Sequence, residues 1–249
     1  MSRGEEPAHI TSPAHEDFPP WIRDEDLIAR AAHEARACVR VSVCDAVEVV
    51  IGRGGKPDLE LDLEAIRADA APVYRRRGGG CAVVLDPGNL LVSAAAPMAG
   101  VGGVTSAFTA FTGWVTGGLA AVGIPGVTGA GVSDLVLDDR KVGGSCIYRT
   151  RGLVYYSTTL LVEPDLSLIE RYLPHPPREP GYRRGGFYPA LLGTLPLDRG
   201  TLPSARVPLP PGAPPPFLPR ALSPPLPQSS PSRHPPSLPA APLPLCHAL

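Results

Sequence analysis

The stretch at residues 74–90, YRRRGGGCAVVLDPGNL, places three arginines directly before three glycines. Glycine lets backbone N–H groups approach a ligand closely, and the arginine guanidinium offers forked donors to an anion. These residue types predict a site for a phosphate or a carboxylate. In a strand, alternate side chains face opposite sides, so Arg76 would point into a pocket, away from Arg75 and Arg77. A solvated charge run followed by an ordinary turn is the alternative interpretation.

Lysine is rare in this chain, and the two that occur, Lys56 and Lys141, stand among 23 basic residues. A lysine ammonium is a compact point charge that suits a crowded reacting centre better than a wide guanidinium does. Such a charge stabilises the negative charge that builds on phosphoryl oxygens in a transition state. Lys141 is therefore a candidate catalytic residue, although its setting in DDRK is also typical of a polar surface turn.

The segments that must position these residues predict an α+β fold. Helical periodicity or composition marks the segments 24–38, 62–70, 105–124 and 165–173, and strand-like runs mark 39–43, 47–55, 81–85, 89–96, 127–148 and 153–162. The strands occur in antiparallel-looking pairs with helices between the groups, which favours mixed, largely antiparallel sheets packed with helices. We expect Asp86, Pro87 and Gly88 to form a hairpin-like connection, and Asp165 to cap the last helix.

Composition divides the chain into three parts. Residues 1–20 are polar and are expected to form a disordered leader, and residues 21–185 have the mixed composition of a folded domain. From 186 to 249 the composition changes, because nineteen of the 33 prolines lie there and Asp198 is the one acidic residue. We expect this tail to be disordered or polyproline-like. It is either a ligand for adaptor domains with aromatic grooves or unselected sequence, and composition favours the second.

The bulk properties argue against several classes of function. The 23 basic and 24 acidic residues nearly cancel, which gives no general attraction to nucleic acid or anionic lipid. The five cysteines and six histidines lack metal-ligand spacing, and the cysteine pattern favours a reduced, cytoplasmic setting. The polar, acidic N-terminus does not have the pattern of a signal peptide. The uncharged run between Asp86 and Asp134 could hold a membrane helix, but its glycines and prolines favour a core helix.

Taken in order, the motifs resemble those of the lipoate–protein ligase family, within the biotin/lipoate ligase superfamily. EVVIGRGG at 48–55 is similar to its V-x-I-G-R strand and turn, and RRRGGGCAVVLDPGN at 75–89 to its R-R-x-[ST]-G-G-G-A-V-x-x-D-x-G-N signature. GVSDLVLDDRKVGGSCIY at 131–148 resembles G-x-x-D-L…K-[VI]-x-G-S-A, and LLVEPDLSLIERYL at 160–173 resembles L-L-x-x-x-D-L. The match runs from about residue 24 to about residue 184 and implies a class II synthetase-like fold.

The resemblance also implies a chemistry. Lipoate or octanoate would react with ATP and Mg²⁺ to give an acyl-adenylate and pyrophosphate, and the acyl group would pass to a lysine of a lipoyl-accepting carrier domain. By motif, Lys141 would bridge the carboxylate and the α-phosphate, and Asp134 would contact the nucleotide or its metal. The other implied binding residues are Arg76, Gly79, Gly80, Asn89, Gly144 and Ser145.

The chain departs from the resembled pattern at several positions. Gly78 stands where Ser or Thr is usual, Cys81 where the third glycine is expected, and Leu85 where a histidine is expected. Residues 157–159 replace the H-G-T of the family, which puts the choice of substrate in doubt. Cys146 replaces a small alanine and could form a thioester, as in related ATP-independent acyltransferases, if its thiolate were stabilised. A small packed residue is the alternative for this cysteine.

Three functions remain open from the sequence. The ATP-dependent ligase is favoured, and an octanoyl or lipoyl transferase that uses a thioester is the second. The third is a degenerate homologue that binds without turnover, against which the intact Lys141, Asp134 and Arg76 argue. Biotin is a weaker candidate substrate. The abrupt loss of periodicity predicts a shifted reading frame near Gly185 and Gly186, which would truncate the domain and leave the tail unselected.

Overall fold

The computed structural model describes residues 18–99, 103–150, 152–174, 191–197 and 207–208, which form two sheets with helices around them. The helices are α1 (Glu25–Glu34), α2 (Pro57–Glu60), α3 (Leu63–Ala68), α4 (Val104–Ala121) and α5 (Leu166–Tyr172). The strands are β1 (Cys38–Val43), β2 (Glu48–Ile51), β3 (Val73–Arg75), β4 (Val83–Leu85), β5 (Asn89–Pro97), β6 (Thr128–Ala130), β7 (Asp134–Leu137), β8 (Arg140–Thr150), β9 (Leu153–Leu161) and β10 (Val207–Pro208). The predicted α+β class is confirmed.

The larger sheet has seven strands in the order β10-β1-β5-β9-β8-β7-β6, and every neighbouring pair is antiparallel. The smaller sheet has the order β3-β2-β4, with β2 parallel to β3 and antiparallel to β4. The predicted hairpin between the segments 81–85 and 89–96 is therefore wrong. Its two strands lie in different sheets, because each finds a better partner elsewhere in the chain.

One face of the larger sheet is apolar and is covered by α4. The buried residues of α4 recur every fourth position, at Ala107, Phe111, Val115 and Leu119, and they form one stripe that packs on the sheet. The ring of Phe111 stacks on Tyr156 of β9 with ring centroids 5.0 Å apart. The expected core helix is thus present, with one buried and one exposed face. No helix in the described ranges is long and apolar enough to cross a membrane.

The opposite face of the larger sheet, here called the polar face, is covered by α1 and the smaller sheet. Arg40 of β1 is buried there, and its guanidinium donates a 3.0 Å hydrogen bond to the Asp24 carboxylate. Tyr155 donates a 2.6 Å hydrogen bond to the same carboxylate, and Ser93 lies 3.2 Å from Ser157 on the adjacent strand. Buried charges and hydroxyls are stable only when they are paired in this way. This face therefore combines paired polar side chains with apolar contacts, which α1 and the smaller sheet each make with it.

Asp86 holds the corner at which the chain passes from the smaller to the larger sheet. Its carboxylate accepts hydrogen bonds from the Gly88 amide at 2.6 Å, from the Asn89 side chain at 2.8 Å and from the Asp165 amide at 2.6 Å. A Cβ on Gly88 would lie 1.8 Å from the Glu163 carbonyl oxygen, so only glycine fits this corner. The Asp165 side chain caps α5 through a 3.0 Å bond from the Ser167 amide, which confirms the predicted cap.

Part of the predicted disordered tail packs on the domain. Leu195 is 2% exposed in the core beneath α4, and its amide donates to the Leu161 carbonyl at 2.7 Å. The Gly193 amide donates to the Lys141 carbonyl at 2.9 Å. Packing therefore extends past the boundary predicted at residue 185. Residues 1–17, the proposed frame-shift junction at 185–186 and most of the tail lie outside the described residues.

Replacing Leu195 by alanine tests this packing. The change should lower the free energy of unfolding by about 2–5 kcal/mol, because it leaves a cavity in a closed core. Leu59→Ala is the matched control, since Leu59 is 54% exposed and its truncation should cost within about 0.5 kcal/mol. Urea unfolding of the two variants gives the comparison, and equal small losses would mean that residues 191–197 do not pack on the core.

Candidate functional site

Lys141 and Asp134 form an ion pair at the start of β8 and β7. The Lys141 Nζ lies 2.7 Å from the Asp134 Oδ1, and the two side chains are 22% and 8% exposed. The pair is therefore partly shielded from water, where opposite charges interact more strongly than at an exposed surface. The structure thus brings together the two residues for which the sequence predicted catalytic and nucleotide-binding roles, and those roles stay predictions.

A β-bulge in β8 places Lys141 on the same face of the sheet as Asp134. Asp134 is opposite Gly144, whereas Val136 is opposite Lys141, so β8 carries one residue more than β7 over this span. In a regular strand, residues 141 and 144 would lie on opposite faces because side chains alternate. The extra residue, Val142, cancels that difference and turns its own side chain into the core beneath α4.

Gly144 provides the space through which the lysine side chain reaches Asp134. A Cβ at Gly144 would lie 3.3 Å from the Lys141 Nζ and 3.4 Å from its Cε. Any larger residue would crowd the ammonium group. Ser145 differs, because its hydroxyl lies 2.9 Å from the Tyr156 hydroxyl, on the face that α4 covers. Of these two predicted binding residues, only Gly144 lies beside Lys141.

Arg76 organises the glycine loop, here defined as residues 76–81. Its Nη1 donates to the Val50 carbonyl at 3.0 Å, and its Nη2 donates to the carbonyls of Gly79 and Cys81 at 2.8 and 2.7 Å. Gly80 has φ +95°, which favours glycine at that position. Arg76 is thus buried, but most of its donors bind the loop itself, and its predicted binding role stays a prediction. Gly79 and Gly80 lie exposed at the tip of the loop, and their binding roles stay predictions.

The charge of Arg76 is not cancelled by these bonds, because their acceptors are neutral carbonyls. Burial lowers the pKa of Arg76, and the nearby Cys146 and Glu60 oppose that shift. The glycine loop therefore encloses a positive charge that an anionic or polar ligand beneath it would meet.

The other two arginines of the run have separate partners. The Arg75 Nη1 donates to the Gly52 carbonyl at 3.0 Å and so holds the turn that follows β2. Arg77 pairs with Glu25 of α1 at 2.9 Å. A Cβ at Gly52 would lie 2.0 Å from the Gly80 carbonyl oxygen, so the V-x-I-G-R turn and the glycine loop interlock. Strand alternation predicted that Arg76 points away from Arg75 and Arg77, and the three arginines do have separate hydrogen-bond or ion-pair partners. All three nevertheless contribute to the walls of one groove, which is described below.

A small cavity lies beneath the glycine loop, beside Cys146. Its lining includes Gly78, Cys146, Tyr148 and Tyr155, and its volume of about 10 Å³ is enough for roughly one water molecule. A Cβ at Gly78 would lie 2.9 Å from the Cys146 Sγ. Burial raises the pKa of the Cys146 thiol, and the nearby Arg76 charge only partly opposes the shift. This environment favours the neutral thiol, which is the weaker nucleophile.

The cavity adjoins a wide groove of about 680 Å³ between α1 and the end of the β8–β9 hairpin. Its walls include five arginines and a single carboxylate, that of Glu25. Apolar side chains from α1 also contribute to the walls. The two spaces share Arg76, Arg77 and Tyr148 in their walls. The groove suits a ligand that carries negative charge and an apolar part. None of the lining residues except Arg76 was predicted as a binding residue.

Asn89 lies in the corner that Asp86 forms. It is 1% exposed, and its Nδ2 donates to the Asp86 carboxylate at 2.8 Å. Its Oδ1 is buried without a hydrogen-bond donor from the described residues. The described contacts thus explain a structural role for Asn89, and its predicted role in the pocket stays a prediction.

Asp134 is the residue through which the site could hold Mg²⁺. Within the described ranges, no group of three or more His, Cys, Asp or Glu side chains is arranged to hold a metal ion. Mg²⁺ is commonly bound by one or two carboxylates together with substrate phosphates. One aspartate that shared the ion with the phosphates of a ligand would fit that mode of binding, which does not require a metal cage built from the protein alone.

Comparison with known proteins agrees with this architecture. The family model described as "Lipoyl protein ligase A/B catalytic domain" matches residues 19–186. A curated relative from Mycoplasma genitalium, named "Probable lipoate-protein ligase A", is 30% identical over 164 residues, which are 66% of this chain and 48% of the relative. A protein of the same name from Mycoplasma pneumoniae is 30% identical over 129 residues, which are 52% of this chain and 38% of the relative. The chain thus spans half or less of the length of these relatives.

Solved structures show the same fold. A bipartite lipoate protein ligase from Thermoplasma acidophilum, studied with its E2 lipoyl domain, has a TM-score of 0.54 and 22% identity over 66% of this chain and 65% of its own. A lipoate-protein ligase A bound with ATP has a TM-score of 0.54 and 20% identity, with 68% of each chain covered. A T. acidophilum protein with bound lipoic acid has a TM-score of 0.53 and 20% identity, over 63% and 69% of the two chains.

Replacing Gly52 by alanine tests the interlock between the two motifs. The added methyl group would collide with the Gly80 carbonyl, so we expect a loss of about 1–3 kcal/mol or more in the free energy of unfolding. Gly54→Ala is the matched control in the same turn, because a Cβ at Gly54 meets nothing within 4 Å. Chemical denaturation of both variants gives the result. Equal stability of the two variants would show that the loop does not lie against Gly52.

Proposed function

The chain belongs to the lipoyl protein ligase A/B catalytic domain family, and from that premise we propose that it activates lipoate or octanoate with ATP. The acyl-adenylate would then transfer its acyl group to a lysine of a lipoyl-accepting carrier domain. The observation that carries this proposal is the Lys141 ammonium, which lies over Gly144 and is held 2.7 Å from Asp134.

In the first step, a carboxylate oxygen of the acid attacks the α-phosphorus of ATP. The O–P bond forms as the bond from the α-phosphorus to the bridging oxygen breaks, and pyrophosphate leaves with that electron pair. Negative charge builds on the α-phosphoryl oxygens, which the Lys141 ammonium stabilises. Asp134 holds the ammonium in position, so little reorganisation is needed when the reaction begins.

In the second step, the amine of the carrier lysine attacks the acyl carbon. The C–N bond forms, the bond to the AMP oxygen breaks so that AMP leaves with its electron pair, and the amine gives up a proton to solvent. The acyl carboxyl group stays beside Lys141 after the first step. The ammonium therefore again faces the oxygens on which charge develops. The carrier domain and its lysine enter the proposal through the family and through the T. acidophilum neighbour that was studied with its E2 lipoyl domain.

Asp134 would also hold Mg²⁺, together with the phosphates of ATP. When bound, the ion neutralises charge on the triphosphate. ATP and lipoate are proposed as ligands because neighbours with the same fold were solved with ATP and with lipoic acid. A reducing, cytoplasmic setting is part of the same proposal, and the four cysteines in the described ranges carry free thiols.

Pyrophosphate release tests adenylation. Wild-type protein mixed with ATP should release pyrophosphate when lipoate or octanoate is added, and much less when biotin is added. Lys141→Ala should reduce the rate on the order of 10²-fold or more, because a preorganised positive charge is lost. Lys56→Ala is the matched control, since Lys56 is the other lysine of the chain and is exposed.

Circular dichroism must show that Lys141→Ala remains folded, because the change leaves Asp134 buried without this partner. Folded wild-type protein that releases no pyrophosphate with any of the three acids would contradict the proposal. Binding of acid without turnover would then favour a degenerate homologue.

A thioester transferase that uses Cys146 is the second candidate, and the Arg76 charge beside the thiol is the observation that favours it. Burial of the thiol opposes this candidate, so we expect Cys146→Ser to keep most of the ATP-dependent pyrophosphate release. Assays with octanoyl thioesters in the absence of ATP complete the test. Transfer from a thioester that Cys146→Ser abolishes would contradict the ligase mechanism and establish the transferase.

A further inference from the structure

The residues of the polar face of β8 that follow the Lys141 ammonium define a line, here called the acyl track, along which the chain of a bound acid would run. The Lys141 ammonium lies over Gly144, and the next residues on the same face are Cys146 and Tyr148. Successive residues on one face of an antiparallel strand are about 7 Å apart. An extended covalent chain advances roughly 1.2 Å per bond, so an eight-carbon acid spans about 8 Å. A chain whose carboxylate lies at the ammonium would therefore end beside Cys146.

Cys146 and Gly78 lie against each other at that point, under the glycine loop. The Sγ of Cys146 lies where a side chain at residue 78 would have to begin, since a Cβ there would be 2.9 Å from Sγ and 3.0 Å from the cysteine Cβ. Beyond the pair lies the small cavity lined by Tyr148 and Tyr155, which has room for about one water molecule. The wide groove begins on the far side of this cavity.

We propose that Cys146, packed against Gly78, is the specificity-determining residue that ends the acyl track at about eight carbons. This inference rests on the proposed function, because it places the carboxylate of the acid at Lys141. The thiol closes the acyl track under the glycine loop, and Gly78 leaves the room that the thiol fills. A smaller residue at 146 would connect the track with the cavity and the groove, and longer straight-chain acids would then fit.

The same geometry makes residues 78 and 146 depend on each other for stability. Gly78 does not have a positive φ, so its backbone accepts alanine and the cost of that change comes from the contact with Cys146. Gly78→Ala should lower the urea midpoint of unfolding. The same change made in Cys146→Ala should cost less, because the contact with the sulfur is gone and only the contact with the Cβ remains. If Gly78→Ala lowered stability equally in wild type and in Cys146→Ala, the packing on which the proposal depends would be contradicted.

Binding of straight-chain acids tests the specificity role directly. Isothermal titration calorimetry of the full chain with six-, eight-, ten- and twelve-carbon acids should give the tightest binding at eight carbons. In Cys146→Ala, affinity should continue to rise beyond eight carbons by up to about fourfold per buried methylene, from ~0.8 kcal/mol each. Adding Gly78→Ala to that variant should restore the limit, since the new methyl group takes part of the space of the sulfur.

Cys44→Ala is the matched control, because Cys44 is a buried thiol in a separate cluster with Val50, Leu85 and Leu91. It should leave the chain-length profile unchanged. A wild type that binds acids, with the same profile in Cys146→Ala, would overturn the specificity role alone. Wild-type protein that binds none of the acids would overturn the proposed function, and the specificity role with it, whatever the stability measurements show.

Discussion

Lys141 reaches Asp134 because β8 contains one more residue than β7 opposite the step from Leu135 to Val136. In a regular strand, the ammonium would point into the apolar core beneath α4, where a charge without a partner is costly. The extra residue in the bulge reverses the alternation of side chains before it. Val142 therefore enters the core, and Lys141 lies on the polar face. Two further features hold this arrangement, the missing side chain of Gly144 and the bond from the Gly193 amide to the Lys141 carbonyl.

The glycine loop covers part of the polar face, and its contacts are separate from those of the bulge in β8. Arg76 binds three carbonyl groups from β2 and from the loop, and Gly52 lets the loop lie directly against the end of β2. The arginine therefore serves as a structural centre while its charge remains available to the space beneath it. The result is a cover over β8 that is fixed by hydrogen bonds and backbone contact, as a site needs when it must hold a chain and a reacting group in register.

The elements were largely predictable because their signals are local. The periodicity of α1, α4 and α5 and the cap at Asp165 depend on neighbours within one or two turns. The strands before and after Asp86 belong to different sheets. This was not predictable, because the pairing of strands is decided between distant segments. The three-residue strand β3 is too short to give a pattern.

Within the site, the resemblance selected Lys141 and Asp134, and the two glycines after Val142 were the available signal for a bulge. The resemblance did not give the side of the sheet on which Ser145 lies, nor the contact between Gly78 and Cys146. Both depend on register and on packing between the two sheets, which no single segment encodes. The burial of Leu192 and Leu195 was hidden by the proline-rich composition around them.

The most direct test of the account is to observe the Lys141 side chain itself. Protein labelled with ¹³C and ¹⁵N in lysine should give two side-chain signals by NMR, because the chain has two lysines, and Lys56→Arg assigns them. We predict that ATP with lipoate or octanoate shifts the Lys141 signal and leaves that of Lys56 in place. A Lys141 signal that does not move while pyrophosphate is released would contradict the central claim that this ammonium contacts the reacting groups.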